Sequence, residues 1–212
     1  MPAMDISKWL LNNYIEIFGA AAGIIYVFLE IRQHVLLWPV GIVTSAVYVW
    51  VFLTGKLYAD MSLQVYYLAI SILGWYWWAS RSLQKKLVII DNAGEVTVSD
   101  ESETLHVTRL KLRTGVILGL VFSALYLFIW LFLSRLTDSP VPVWDSFITS
   151  LSIVATWMLA RKIYEHWYLW IVVNAGSVLL FIIKGLYPTI ILYIVYLVMS
   201  FAGLRQWKKT IR

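Results

Sequence analysis

Trp167, Trp170 and Asn174 are spaced i, i+3 and i+7, which puts all three on one face of a helix. Their surroundings are apolar, and an amide there costs several kcal/mol if it stays unpaired. Asn174 is therefore expected to face a water-filled cavity and hold a ligand, an interhelical hydrogen bond being its simpler role. Trp167 closely follows Arg161, Lys162 and Glu165, and reads as an anchor at the membrane–water boundary. Gln64, Tyr67 and Ser71 repeat the same spacing. These side chains offer hydrogen bonds and ring faces, the chemistry of holding a solute.

Both sets belong to one internal echo. The first half of the chain reappears in the second, without a gap, 129 positions later (187 minus 58). Trp38 falls on Trp167, Tyr67 on Tyr196, Ser71 on Ser200, Gly74 on Gly203 and Trp78 on Trp207. Roughly 17 of about 63 aligned positions are identical, a strong signal for a membrane repeat. Its departures are informative: Ser45 meets Asn174, Gly41 meets Trp170 and Gln64 meets Tyr193. A pathway that holds one asymmetric ligand needs such differences. Trp170, Asn174, Gln64, Tyr67, Tyr193, Tyr196 and Ser45 are thus the candidate binding residues.

The elements that carry them belong in lipid. Of 212 residues, 61% are hydrophobic and only 14% charged, where a soluble domain carries about 25%. Seven apolar spans of roughly bilayer length can be placed, at about Tyr14–Gln33, Leu36–Leu53, Met61–Ser80, Thr114–Ser134, Val143–Arg161, Trp167–Ile183 and Tyr187–Gln206. The first is read as a retained helix despite Ala20-Ala21-Ala22, because Glu16 interrupts the stretch and the echo requires it. With seven spans, four Lys and Arg residues fall on one side and thirteen on the other. That bias puts the amino terminus outside and the carboxyl terminus in the cytoplasm. It also makes the +5 net charge a topology and lipid-headgroup signal, not a nucleic-acid face.

The expected fold is an all-α integral membrane protein in a 3+1+3 plan. Residues 14–80 form the first three-helix repeat, 114–134 a linking span and 143–207 the second repeat. An odd linking span makes the repeats parallel, related by an axis along the membrane normal. Residues 81–113 form a cytoplasmic segment. There Val88-Ile89-Ile90 and Val96-Thr97-Val98 flank an Asn/Gly turn and predict a β-hairpin, with Leu105–Thr108 as a further strand. Glu16, Asp145 and Asp60 suit amino-terminal helix turns. Glu30 and Arg32 are expected to pair, and Lys184 to snorkel.

Several chemistries are excluded. No G-x-x-x-x-G-K-[ST] is present, hence no P-loop ATP engine. There is no cysteine, so no disulfide or thiolate metal site, and no cofactor is called for. His34, His106 and His166 are scattered, and no acid, base and nucleophile cluster can be assembled. No chain of buried carboxylates suggests a proton relay. Facilitated diffusion is the expectation, and a non-transporting enzyme or receptor scaffold the competing class.

Trp167-x-x-Trp170-x-x-x-Asn174, Leu63-Gln64-x-x-Tyr67 and Gly74-Trp75-Tyr76-Trp77-Trp78 resemble motifs of the PnuC family of bacterial vitamin transporters. The resemblance runs from about Glu16 to Trp207. It implies a SWEET-like 3+1+3 fold in the bacterial inner membrane and a homotrimer with one pathway per protomer. It implies uptake of nicotinamide riboside, with thiamin as the alternative and riboflavin behind both. It further implies trapping by a cytoplasmic vitamin kinase. Nicotinamide riboside and thiamin share a cationic aromatic ring, which Trp and Tyr faces attract. Asn174 and Gln64 would then read polar groups beside that ring.

Overall fold

The apolar runs fold into helices that keep their apolar faces outward. The computed structural model describes the backbone of residues 14–54, 58–91, 105–137, 140–184 and 187–211, and the side chains of 17–54, 61–79, 105–137, 140–182 and 189–211. Among these residues there are seven helices: α1 (Tyr14–Ile31), α2 (Leu37–Thr54), α3 (Tyr58–Asp91), α4 (Leu112–Leu136), α5 (Pro142–Ala160), α6 (His166–Lys184) and α7 (Tyr187–Lys208). Six of them close a ring. α1 packs on α2, α2 on α3, α3 on α5, α5 on α6, α6 on α7, and α7 back on α1. α4 lies outside the ring against α5, where Phe122 meets Phe147 edge-on at 5.7 Å between ring centroids.

Polarity runs from inside to outside in the reverse of a water-soluble protein. No described residue of α4 is buried, and its Leu120, Phe128 and Leu136 are 67%, 68% and 71% exposed. Ser45, Ser71, Ser152, Asn174, Ser177 and Ser200 are buried inside the ring. Helices with such faces are stable in lipid, which satisfies the apolar surface while the backbone bonds itself. Leu37–Thr54, Leu112–Leu136, Pro142–Ala160 and Thr189–Lys208 are long and apolar enough to cross a membrane. Ile17–Ile31 and His166–Ile182 are shorter apolar helices.

α1 and α5 end in the same way. Gln33 and Lys162, 129 positions apart, have left-handed backbone at φ 53° and 51°. After α1, the Gln33 and His34 amides donate to the carbonyls of Glu30 and Leu29 at 3.0 and 2.9 Å. After α5, Lys162 and Ile163 donate to Leu159 and Met158, both at 2.9 Å. This is the Schellman arrangement, which caps orphan carbonyls and turns the chain sharply. A β-branched side chain fits the left-handed region poorly. Gln33→Ile should therefore be less stable than Gln33→Gly by about 1–2 kcal/mol. Both variants lose the Gln33–Thr210 side-chain bond, so the difference in their thermal midpoints in detergent isolates the backbone effect. Equal midpoints would refute it.

Two expectations are corrected here. α3 continues to Asp91, not Ser80, so Val88-Ile89-Ile90 is helical and no first hairpin strand forms. Helix already propagating through Leu83–Leu87 adds one hydrogen bond per residue, whereas the helix penalty of each Val or Ile is only about half a kcal/mol. Leu105–Thr108 is not an added hairpin strand but makes two single bridges, Val107 to Ile211 and Thr108 to Ile163. It thereby ties the carboxyl-terminal tail to the α5–α6 turn. The rest of the hairpin lies outside the described residues, as do the side chains of Glu16, Asp60 and Lys184.

Candidate binding cavity

The six-helix ring encloses a cavity of about 410 Å³. Ser45 of α2, Gln64 and Tyr67 of α3, Trp170 and Asn174 of α6, and Tyr193 and Tyr196 of α7 all line it. The seven candidates from the sequence are thus brought together by four helices. Gly41, Ser71 and Ser200 complete the faces to which they belong. α4 contributes nothing to the lining.

At the end of the cavity beside the α1 carboxyl terminus, Trp167 forms a floor backed by Trp38, Trp78 and Trp207, which do not line it. Trp38 meets Trp78 edge-on at 5.3 Å, and Trp167 meets Trp207 edge-on at 5.8 Å. Each pair sits against a glycine. A methyl on Gly74 would run into the Trp38 indole and one on Gly203 into that of Trp167, with Cζ3 at 2.6 Å in both cases. The other two indoles join neighbouring helices of the two halves: Trp78 Nε1 donates to the Ala160 carbonyl at 3.1 Å, and Trp207 Nε1 to that of Glu30 at 3.0 Å. Trp167 is only 1% exposed, so it is a cavity and core residue, not the interfacial anchor expected from the charges before it. The tight turn after α5 folds Trp167 inward under the ring.

Above the floor the polar groups are held by neighbouring helices. Asn174 Nδ2 donates to Ser200 Oγ at 3.0 Å, and that hydroxyl donates to the Tyr196 carbonyl at 2.8 Å. This chain fixes the amide plane and leaves Asn174 Oδ1 outside it. Tyr67 shares the cavity wall with Ser152 of α5, whose hydroxyl donates to the Ile148 carbonyl at 2.8 Å. The hydroxyls of Tyr196 and Tyr48 reach the α1 backbone at Gly23 and Gly19, where no side chain could be accommodated without displacing them. The buried indole Nε1 groups of Trp38, Trp167 and Trp170 have no hydrogen-bond partner among the described residues. Aromatic walls beside an oriented amide suit a planar ligand with polar groups.

Glu30 is corrected as well. It pairs with His166 Nε2 at 3.1 Å rather than with Arg32, whose guanidinium lies 5.3 Å from the Phe28 ring centroid. Glu30 and Arg32 are too close along the helix for both to face inward, and the carboxylate takes the inner face. Tyr26, Glu30, Tyr48 and Trp167 line the cavity without having been selected from the sequence. For Glu30 the signal was present in the echo, which sets it opposite Leu159. Beyond the helix ends, burial lowers the Lys162 amine to about 8, and its Nζ sits 4.2 Å from the Trp78 ring centroid. No grouping of three or more His, Asp or Glu suited to a metal occurs among the described residues.

An apolar exterior around a polar, aromatic central cavity defines a multi-pass membrane transporter. A profile of the family described as nicotinamide mononucleotide transporter matches residues 13–209, so the chain belongs to that family, which is the PnuC family. The nicotinamide riboside transporter PnuC of Escherichia coli is 27% identical over 217 residues, covering 94% of this chain and 87% of the relative. The riboflavin/roseoflavin transporter RibM of Streptomyces davaonensis is 26% identical over 192 residues, covering 91% and 83%. A crystal structure of the vitamin B3 transporter PnuC superposes with a TM-score of 0.70 at 22% identity, over 97% of this chain and 85% of that one. The competing enzyme class is thereby set aside.

Proposed function

We propose that the protein carries nicotinamide riboside into the cell by facilitated diffusion across the bacterial inner membrane, with the carboxyl terminus in the cytoplasm. The observation that carries this reading is the lining of the cavity. Indole and phenol faces surround it, the Asn174 and Gln64 amides offer bonds to polar atoms, and Glu30 is its one carboxylate among the described residues. A cationic nicotinamide ring with an amide and a ribose presents the complementary surfaces. The Escherichia coli relative, named for this vitamin, spans most of both chains and adds support.

Parallel three-helix repeats with a SWEET-like arrangement fit the ring. Moving each helix three places round, α1 to α5, α2 to α6 and α3 to α7, maps every ring contact onto another. A homotrimer would bury part of the apolar exterior, and a cytoplasmic kinase would keep the vitamin from returning. The named substrate of the Streptomyces relative favours riboflavin as a second reading, although an uncharged isoalloxazine would leave the Glu30 carboxylate without a use. Uptake of labelled nicotinamide riboside, thiamin and riboflavin into proteoliposomes decides among them. Saturable flux of nicotinamide riboside without an imposed ion gradient is expected. Absence of saturable flux for all three would overturn the vitamin reading.

A further inference from the structure

Glu30 and His166 lie 136 residues apart in sequence, yet their side chains meet at 3.1 Å, at 2% and 0% exposure respectively. The positions that correspond to them in the echo are Leu159 and Leu37, both fully buried. The same junction between the halves therefore occurs twice, once with two leucines and once with an acid–base pair. Packing does not require the charged version, since replacing a buried ion pair by apolar side chains is often neutral or stabilising. A retained intramembrane acid that faces a cavity points to function.

The hydrogen bonds fix how many protons the pair holds. His166 Nδ1 lies 2.7 Å from the Ile163 carbonyl, which can only accept, so Nδ1 carries a proton. Nε2 faces the carboxylate, and a bare lone pair against an ionised oxygen would repel. One further proton must therefore lie between Nε2 and Oε1, on either atom, and the pair is neutral overall. The ring is clamped by Trp167 and Trp207 at 4.7 and 4.6 Å between centroids, so it cannot swing away. Glu30 itself reaches the cavity, and among the described residues no Lys, Arg or His lines it. An organic cation entering this space meets no net opposite charge until the shared proton leaves.

Resting on the vitamin reading above, we infer that Glu30 and His166 form the counter-charge for a cationic ligand, holding one proton in the empty cavity and releasing it when an organic monocation binds. Release turns the pair from neutral to singly negative, and the ligand's positive charge replaces the proton's. Linkage sets the sign: the cation binds the deprotonated form better, so its affinity rises with pH, by at most about tenfold per unit, until the empty pair has itself lost the proton. The other titratable side chains on the surrounding wall are phenols: Tyr26 on α1, Tyr48 on α2, Tyr67 on α3, and Tyr193 and Tyr196 on α7. α5 presents only Ile148, Ser152 and Thr156. None of these titrates between about pH 5.5 and 8. The pair also discriminates by charge, favouring a cation over an uncharged molecule of the same shape.

Isothermal titration of the detergent-purified full chain tests this with two probes, nicotinamide riboside and its uncharged dihydro form. Wild type should release protons on binding the cation, seen as an enthalpy that differs between phosphate and Tris, and should bind it more tightly as pH rises. The dihydro form should show neither effect. Glu30→Gln should weaken the cation about tenfold or more, abolish proton release and leave the dihydro form nearly unchanged. Glu30→Leu with His166→Leu reproduces the leucines of the equivalent junction, so it should keep its thermal midpoint and show the same loss of cation affinity. Wild-type affinity and proton release retained in either variant would overturn the counter-charge, as would equal, pH-independent binding of both probes by wild type. A wild type that binds neither probe, and carries no vitamin into proteoliposomes, would remove the vitamin reading and the inference with it.

Discussion

Gly203→Ala is expected to destabilise the protein by about 1–3 kcal/mol and to weaken ligand binding as well. The added methyl meets three ring atoms of Trp167, an indole 1% exposed and clamped by His166 and Trp207, so the ring must shift as a whole. Trp167 lines the cavity, and its shift changes the floor of the proposed binding site. Gly74→Ala makes the matching clash with Trp38, which is equally buried but does not line the cavity. The two variants should therefore lose similar stability while only Gly203→Ala loses much affinity. Thermal unfolding and nicotinamide riboside titration, run side by side, separate the two quantities. Adding Trp167→Phe to Gly203→Ala should restore stability by making room, without restoring the indole surface of the floor. Equal losses of affinity in the two alanine variants would show that the floor acts only through stability.

Asn174→Ala is expected to weaken binding about tenfold to a hundredfold, which is about 1.4–3 kcal/mol, with little change in thermal midpoint. The amide donates to Ser200 Oγ at 3.0 Å, so its plane is set before a ligand arrives and binding does not have to order it. Its loss also frees the Ser200 hydroxyl, which still donates to the Tyr196 carbonyl and stays satisfied. The fold should tolerate the change for that reason. Ser200→Ala should cost less affinity, because it removes the support of Asn174 and not the contact itself. If Asn174→Ala binds nicotinamide riboside like wild type, the amide is a helix-packing group and does not belong to the site.

Helical periodicity and the echo determined much of this protein before any coordinates. A period of 3.6 residues decides which side chains share a face, so Trp170 with Asn174, Gln64 with Tyr67, and Tyr193 with Tyr196 could be grouped from spacing alone. Aligning the halves then singled out Ser45. Local rules failed where a tertiary contact outweighed them. The charges before Trp167 argued for a membrane boundary, yet the turn at Lys162 carries that indole into the core. The strand preference of Val88-Ile89-Ile90 yielded to a helix already under way.

Periodicity fixes a face but not the helix it will meet. Closure of six helices into a ring, with α4 left outside, depends on side-chain packing between elements far apart in sequence. Only that closure brought Glu30 to His166 and put a carboxylate at the cavity wall. Along the chain, Arg32 was the nearer partner. In the folded protein the inner face of α1 selected Glu30, and the floor of the cavity supplied the histidine.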